Sequence, residues 1–138
     1  MLLTLCPVKY SKSNSKNGSK LDMMLEKLLP IKNNIMWLSL KDNNVQDKHL
    51  KTIGKFVNLQ KLEIEKNPIT DMGIVEILAN QSLTALNLDQ TKITALSFEN
   101  FVKMQGLERV YAWGTAITQE EVGRFAVTEN SPALVLGM

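Results

Sequence analysis

Ile35-Met36-Trp37-Leu38-Ser39-Leu40-Lys41-Asp42-Asn43-Asn44-Val45 is answered 24 residues later by Leu59-Gln60-Lys61-Leu62-Glu63-Ile64-Glu65-Lys66-Asn67-Pro68-Ile69. Both obey one pattern, an apolar residue, then L-x-L, then a small polar residue, then a β-branched apolar one. A third copy runs through Leu83, Leu86, Leu88, Thr91 and Ile93, and a fourth through Leu107, Val110, Ala112, Thr115 and Ile117. Starts at 35, 59, 83 and 107 share one spacing, and a partial fifth copy begins at 131 with Leu134 and Leu136. A fixed period of this length marks stacked supersecondary units.

The second half of each unit keeps the same step. Leu50, Ile74, Phe98 and Val122 form one apolar column, and Ile53, Ile77, Phe101 and Phe125 form another three residues later. A spacing of three suits one face of a short helix, whereas alternation at 38/40 and 62/64 suits a strand. Each unit therefore reads as strand, turn and helix, and cannot bury its apolar faces without neighbours. The expected fold is α/β, a leucine-rich-repeat right-handed solenoid shaped as a short horseshoe, with a concave parallel sheet and convex helices.

Local signals agree with this division. Thr70, Thr94 and Thr118 stand where helices begin and can accept a free backbone N–H, and Thr118-Gln119-Glu120-Glu121 fits a reciprocal capping box. The Asn43/Asn67/Thr91/Thr115 column is expected to satisfy backbone groups left unpaired by the bend. Residues 21–34 read as an N-terminal capping helix (Leu21, Met24, Leu25, Leu28, Leu29) stopped by Pro30, with a connector, and residues 35–138 as the repeats. At the far end the strand near Leu134 has no helix after it. Two readings stay open there, a homodimer across that edge and a closing contact from Met138.

Charge and cysteine usage exclude several function classes. Residues 1–20 carry Lys9, Lys12, Lys16 and Lys20 with no acid, and read as a flexible Lys/Ser/Asn-rich tail. Outside them 12 basic face 14 acidic residues, so nothing resembles a nucleic-acid footprint. The single cysteine, Cys6, cannot form an internal disulfide, and the five residues before it are a weak basis for a lipoprotein-type site. The start is too short for a signal-peptide core, and no stretch approaches a membrane span. The chain reads as soluble, with no direct membrane insertion, and with cytoplasm and periplasm or envelope both open. With one histidine, His49, read as exposed or half-covered, no metal or cofactor site is expected. No nucleophile-elbow or phosphate-loop motif occurs, so no catalytic residue is assigned.

If Leu38 and Leu40 point inward, Trp37, Ser39 and Lys41 point out, and the equivalent triplets are Lys61/Glu63/Glu65, Ala85/Asn87/Asp89 and Arg109/Tyr111/Trp113. Aromatic side chains beside arginine typify interface anchors. The expected binding face is thus Trp37, Ser39, Lys41, Lys61, Glu63, Glu65, Asn87, Asp89, Arg109, Tyr111 and Trp113, for a protein or peptide partner.

Ile35-Met36-Trp37-Leu38-Ser39-Leu40 and Val110-Tyr111-Ala112-Trp113-Gly114-Thr115-Ala116-Ile117-Thr118 resemble bacterial leucine-rich repeats of 24 residues. They are most like the repeat domain that follows a cytochrome-c-type domain in multidomain bacterial envelope proteins. Ala79-Asn80-Gln81-Ser82-Leu83-Thr84-Ala85-Leu86-Asn87-Leu88 also resembles GALA-type repeats of bacterial effectors. The chain departs from the former in lacking the C-x-x-C-H haem motif, so the resemblance implies an interaction module without its redox domain. It leaves three functions in view: a non-catalytic protein-binding module, a structural or regulatory repeat domain of an envelope redox protein, or carbohydrate binding through the aromatic strip.

Overall fold

A computed structural model describes residues 2–4, 17–125 and 131–135. Strands and helices alternate as the period requires. The strands are β1 (Leu2–Thr4), β2 (Trp37–Ser39), β3 (Lys61–Glu63), β4 (Ala85–Asn87), β5 (Arg109–Tyr111) and β6 (Ala133–Val135). The helices are α1 (Asn17–Leu28), α2 (Asp47–Ile53), α3 (Asp71–Glu76), α4 (Phe98–Lys103) and α5 (Gln119–Phe125). All six strands form one parallel sheet in chain order. Leu38, Leu62, Leu86, Val110 and Leu134 stand abreast across it, as the 24-residue spacing demands. The α/β expectation with a parallel sheet is met.

The inward columns make the core. Leu38, Leu62, Leu86 and Val110 are fully buried, as are Leu40, Ile64 and Leu88 behind them and Val45, Ile69 and Ile93 at the turn. Each such side chain contributes about 1.5–3 kcal/mol by leaving water. From the helical layer Leu50, Ile53, Ile74, Ile77 and Phe101 close the other side. In the last units Phe98 and Phe125 stack at 4.4 Å between centroids.

Backbone pairing runs on past each short strand. Leu40, Ile64 and Leu88 donate to Glu63, Asn87 and Tyr111, and Asp42, Lys66 and Gln90 donate to Glu65, Asp89 and Trp113, all within 2.6–3.1 Å. The chain then leaves through a corner where Asp42, Lys66, Gln90 and Gly114, again 24 apart, have φ of 54°, 59°, 56° and 69°. This left-handed column carries glycine only once and was not anticipated.

The polar column behaves as expected. Asn67 is 2% exposed, and its Oδ1 accepts from the backbone of Asn43 and Val45 while Nδ2 donates to the carbonyls of Leu40, Ile64 and Glu65. Thr91 and Thr115 do a smaller version, donating to Leu88 and Ala112 at 2.7 Å. Thr70 caps α3, accepting from Met72, and Thr94 caps the 3-10 turn Ala95–Ser97 that leads into α4, accepting from Leu96. Thr118 and Glu121 form the capping box, with Glu121 accepting the Thr118 N–H at 2.8 Å and returning its own N–H to Thr118 Oγ1.

Two expectations need correction. Residues 1–20 are not all tail: Leu2–Thr4 pair in parallel with Trp37–Ser39, and α1 begins at Asn17 rather than residue 21. The physical reason for the first is in the sequence, since Leu3-Thr4-Leu5 reproduces the Leu38-Ser39-Leu40 alternation without the rest of a repeat. The tail reading of residues 5–16, Cys6 included, lies outside the described residues, as do Leu136 and Met138. As expected, α1 stops just ahead of Pro30, at Leu28, and the connector Leu29–Asn34 winds as 3-10 turns broken by non-helical backbone at Ile31. His49, finally, is wholly buried. Its Nδ1 accepts the Gln46 N–H at 2.8 Å, capping α2, and its Nε2 lies 3.2 Å from Asp22 of α1. A cap residue turned under its own helix leaves the solvent, which periodicity alone does not reveal.

Candidate functional site

Outward residues of the strands form three rows across the face of the sheet opposite the helices. Trp37, Lys61, Ala85 and Arg109 lie in one row, and Ser39, Glu63, Asn87 and Tyr111 in the next. Continued backbone pairing sets Lys41, Glu65, Asp89 and Trp113 in the third. All eleven sequence-predicted residues therefore share one face, but two halves of it differ in chemistry.

The β2–β3 half is internally paired. The Trp37 indole donates to Glu63 at 3.1 Å, the Lys61 ammonium sits 4.1 Å from the Trp37 ring centroid and 3.2 Å from Glu63, and Trp37 is half-buried beneath it. Partial burial would push the Glu63 carboxyl up, but bonds from Lys61, Trp37 and Ser39 and the charge of Lys61 outweigh it, leaving its pKa below the ordinary value. Glu65 behaves oppositely. It is 9% exposed, its Oε2 has no hydrogen-bond partner among the described residues, and Lys41 reaches it only at 3.7 Å. Burial first, and then the charges of Glu63 and Asp89, raise its pKa despite its own backbone N–H and Lys41.

The β4–β5 half is different. Asp89 accepts the Trp113 backbone N–H at 2.7 Å, and Asn87 Oδ1 accepts the Asp89 N–H at 3.0 Å. Beyond these, the Arg109 guanidinium, the Tyr111 hydroxyl, the Asn87 amide nitrogen and the Trp113 indole bond to no described residue. Arg109 is exposed, Trp113 is 47% exposed, and Tyr111 is half-buried. A depression of about 330 Å³ opens between the halves, lined by Lys61, Leu62, Glu63, Ala85, Asn87, Arg109 and Tyr111.

Sequence reasoning passed over Ala85. It sits between Lys61 and Arg109 in the first row, and its short side chain is what opens the depression; a small residue amid long ones was the available signal. A second hollow of about 500 Å³, with Asn33, Asn34, Met36, Asn58, Gln60 and Ser82 in its wall, was also missed. The amides clustered just ahead of the strands were its trace.

No family model and no curated protein matches the chain. In three dimensions it is similar to the actin-binding site 2 of leiomodin-1, with a TM-score of 0.60 over 77% of this chain and 70% of that one at 15% identity. The likeness is one of fold.

Proposed function

We propose that this chain is a short leucine-rich-repeat solenoid of the 24-residue bacterial type, and that it works as a non-catalytic module binding a protein or peptide on the concave face of its sheet. The observation that carries the reading is the contrast within that face. Trp37, Lys61 and Glu63 satisfy one another, whereas the side chains of Arg109, Tyr111 and Trp113 hold donors that no described residue uses, with Trp113 47% exposed. Exposed aromatics with an arginine at a hollow are the residue types that dominate binding energy in protein interfaces. Fold likeness to a domain named as an actin-binding site adds weak support for a protein partner in general. The buried polar groups favour a scaffold over an enzyme, since His49, Asn67 and Thr91 are engaged in caps and turns.

Affinity capture from native lysate tests the proposal. Trp113→Ala and Tyr111→Ala are expected to lose the captured partner while their circular dichroism melts match wild type. Retention by both variants sinks the binding face.

A further inference from the structure

On the open face Lys61 pairs with Glu63 and Lys41 with Glu65, which leaves Arg109 without an ion-pair partner among the described residues and Asp89 held by a backbone N–H. Lys61 is spent on Glu63 at 3.2 Å and on the Trp37 ring, Lys41 is the neighbour of Glu65 at 3.7 Å, and Asp89 is occupied by the Trp113 N–H. Arg109 makes no ion pair with any described residue, and it lines the depression together with Asn87 and Tyr111, whose amide nitrogen and hydroxyl bond to no described residue. Glu63, the acid in that wall, is already bound by Lys61 and the Trp37 indole. Its charge is thus compensated before any ligand arrives.

We propose that this depression receives the carboxylate of an aspartate or glutamate on an extended segment of the protein partner, held by Arg109, while a large apolar residue of the same segment rests on Trp113. The inference rests on the binding-face reading above and names its ligand chemistry. A planar guanidinium offers two parallel N–H donors to a carboxylate, a geometry that a lysine cannot copy. Arg109 and Trp113 are four residues apart on one strand line, about 13 Å by the rise of a strand, so one short segment can meet both. An exposed ion pair adds little affinity by itself. The aromatic contact supplies attachment, and Arg109 supplies the choice between acidic and basic segments.

Immobilised full-length protein is challenged with pools of short random peptides that differ at one fixed position, Glu, Gln, Lys or phosphoserine. The Glu pool is expected to be retained about two- to fivefold over the Gln pool. Arg109→Gln should abolish that preference, and Arg109→Glu should transfer it to the Lys pool, with unchanged circular dichroism melts. Preference for Lys or for phosphoserine in wild type overturns the proposal, as does a Glu preference that survives Arg109→Gln. Retention that depends on Trp113 but ignores the fixed residue overturns this inference alone. Retention that Trp113→Ala leaves unchanged in every pool removes the binding face as well.

Discussion

Asn67 reaches back one full unit to Val45, whose backbone N–H it accepts at 2.9 Å. With Asn43 as second donor and three carbonyls receiving its amide, one side chain closes two successive turns. Asn67→Leu strands several buried backbone groups at once, and a buried group without its partner costs about 1–3 kcal/mol. The expected loss is about 3 kcal/mol, read from the urea midpoint; a loss under about 1 kcal/mol would contradict the role. Thr91→Val, which removes one bond, should cost about 1 kcal/mol.

Aspartates at the first helical position of α2 and α3 each tie their unit to the next. Asp47 accepts the N–H and hydroxyl of Thr70 at 2.8 and 2.5 Å, and Asp71 accepts those of Thr94 at 2.9 and 2.8 Å, with Ser97 as a third donor. The next rung is missing because residue 95 is alanine, so Thr118 turns to Glu121. Ala95→Asp should restore it and stabilise the domain by about 0.5–1 kcal/mol, whereas Asp71→Ala should cost about 1–3 kcal/mol. Thermal melts of the two variants moving in the same direction would refute the ladder.

Left-handed backbone at the corner costs a side chain about 1–2 kcal/mol. Lys66, exposed at φ 59°, is expected to gain up to about 1 kcal/mol on replacement by glycine. Gly114→Ala should lose about 1–2 kcal/mol, because φ is 69° and a new Cβ would lie 3.0 Å from Gln90 Cγ. Equilibrium unfolding of both variants checks the opposite signs.

Glu65 and Glu63 respond to pH in opposite senses. A carboxyl whose folded pKa is raised is best tolerated when protonated, so the Glu65 contribution is full below its unfolded pKa and is lost as pH rises through the folded value. Glu65→Gln should therefore raise Tm by a few degrees at pH 7, with the gain vanishing in acid. Glu63, with its pKa lowered, contributes above its unfolded pKa and loses that contribution as pH falls through the folded value. Glu63→Gln should lower Tm at pH 7 and converge with wild type in acid. Melts from pH 3 to 8 separate the two.

Legibility of the fold followed the period. Any residue in an inward column, such as Leu62 or Ile77, could be placed because a repeat states its position several times over. Leu2–Thr4 escaped because that strand arrives without the turn and helix that identify the other copies. Asp42, Lys66 and Gln90 escaped because none is glycine, and His49 because its fate depends on a contact with Asp22 from a different helix. On the site, strand alternation was enough to put Trp37 and Arg109 on one face. Which of them finds a partner within the chain depends on side-chain reach, and only the assembled rows reveal that Trp37 is covered while Arg109 stays free.

β1 has a further consequence for how the sheet assembles. The partners Leu38 and Leu62 are 24 residues apart, but Leu3 and Leu38 are 35 apart, across a stretch with no repeat column. The longer tether is a minor handicap, since doubling a loop costs only about 0.6 kcal/mol. One rim of the sheet is formed by β1, and release of Leu2–Thr4 would leave β2 as an unpaired edge, the kind of backbone that accepts a foreign strand.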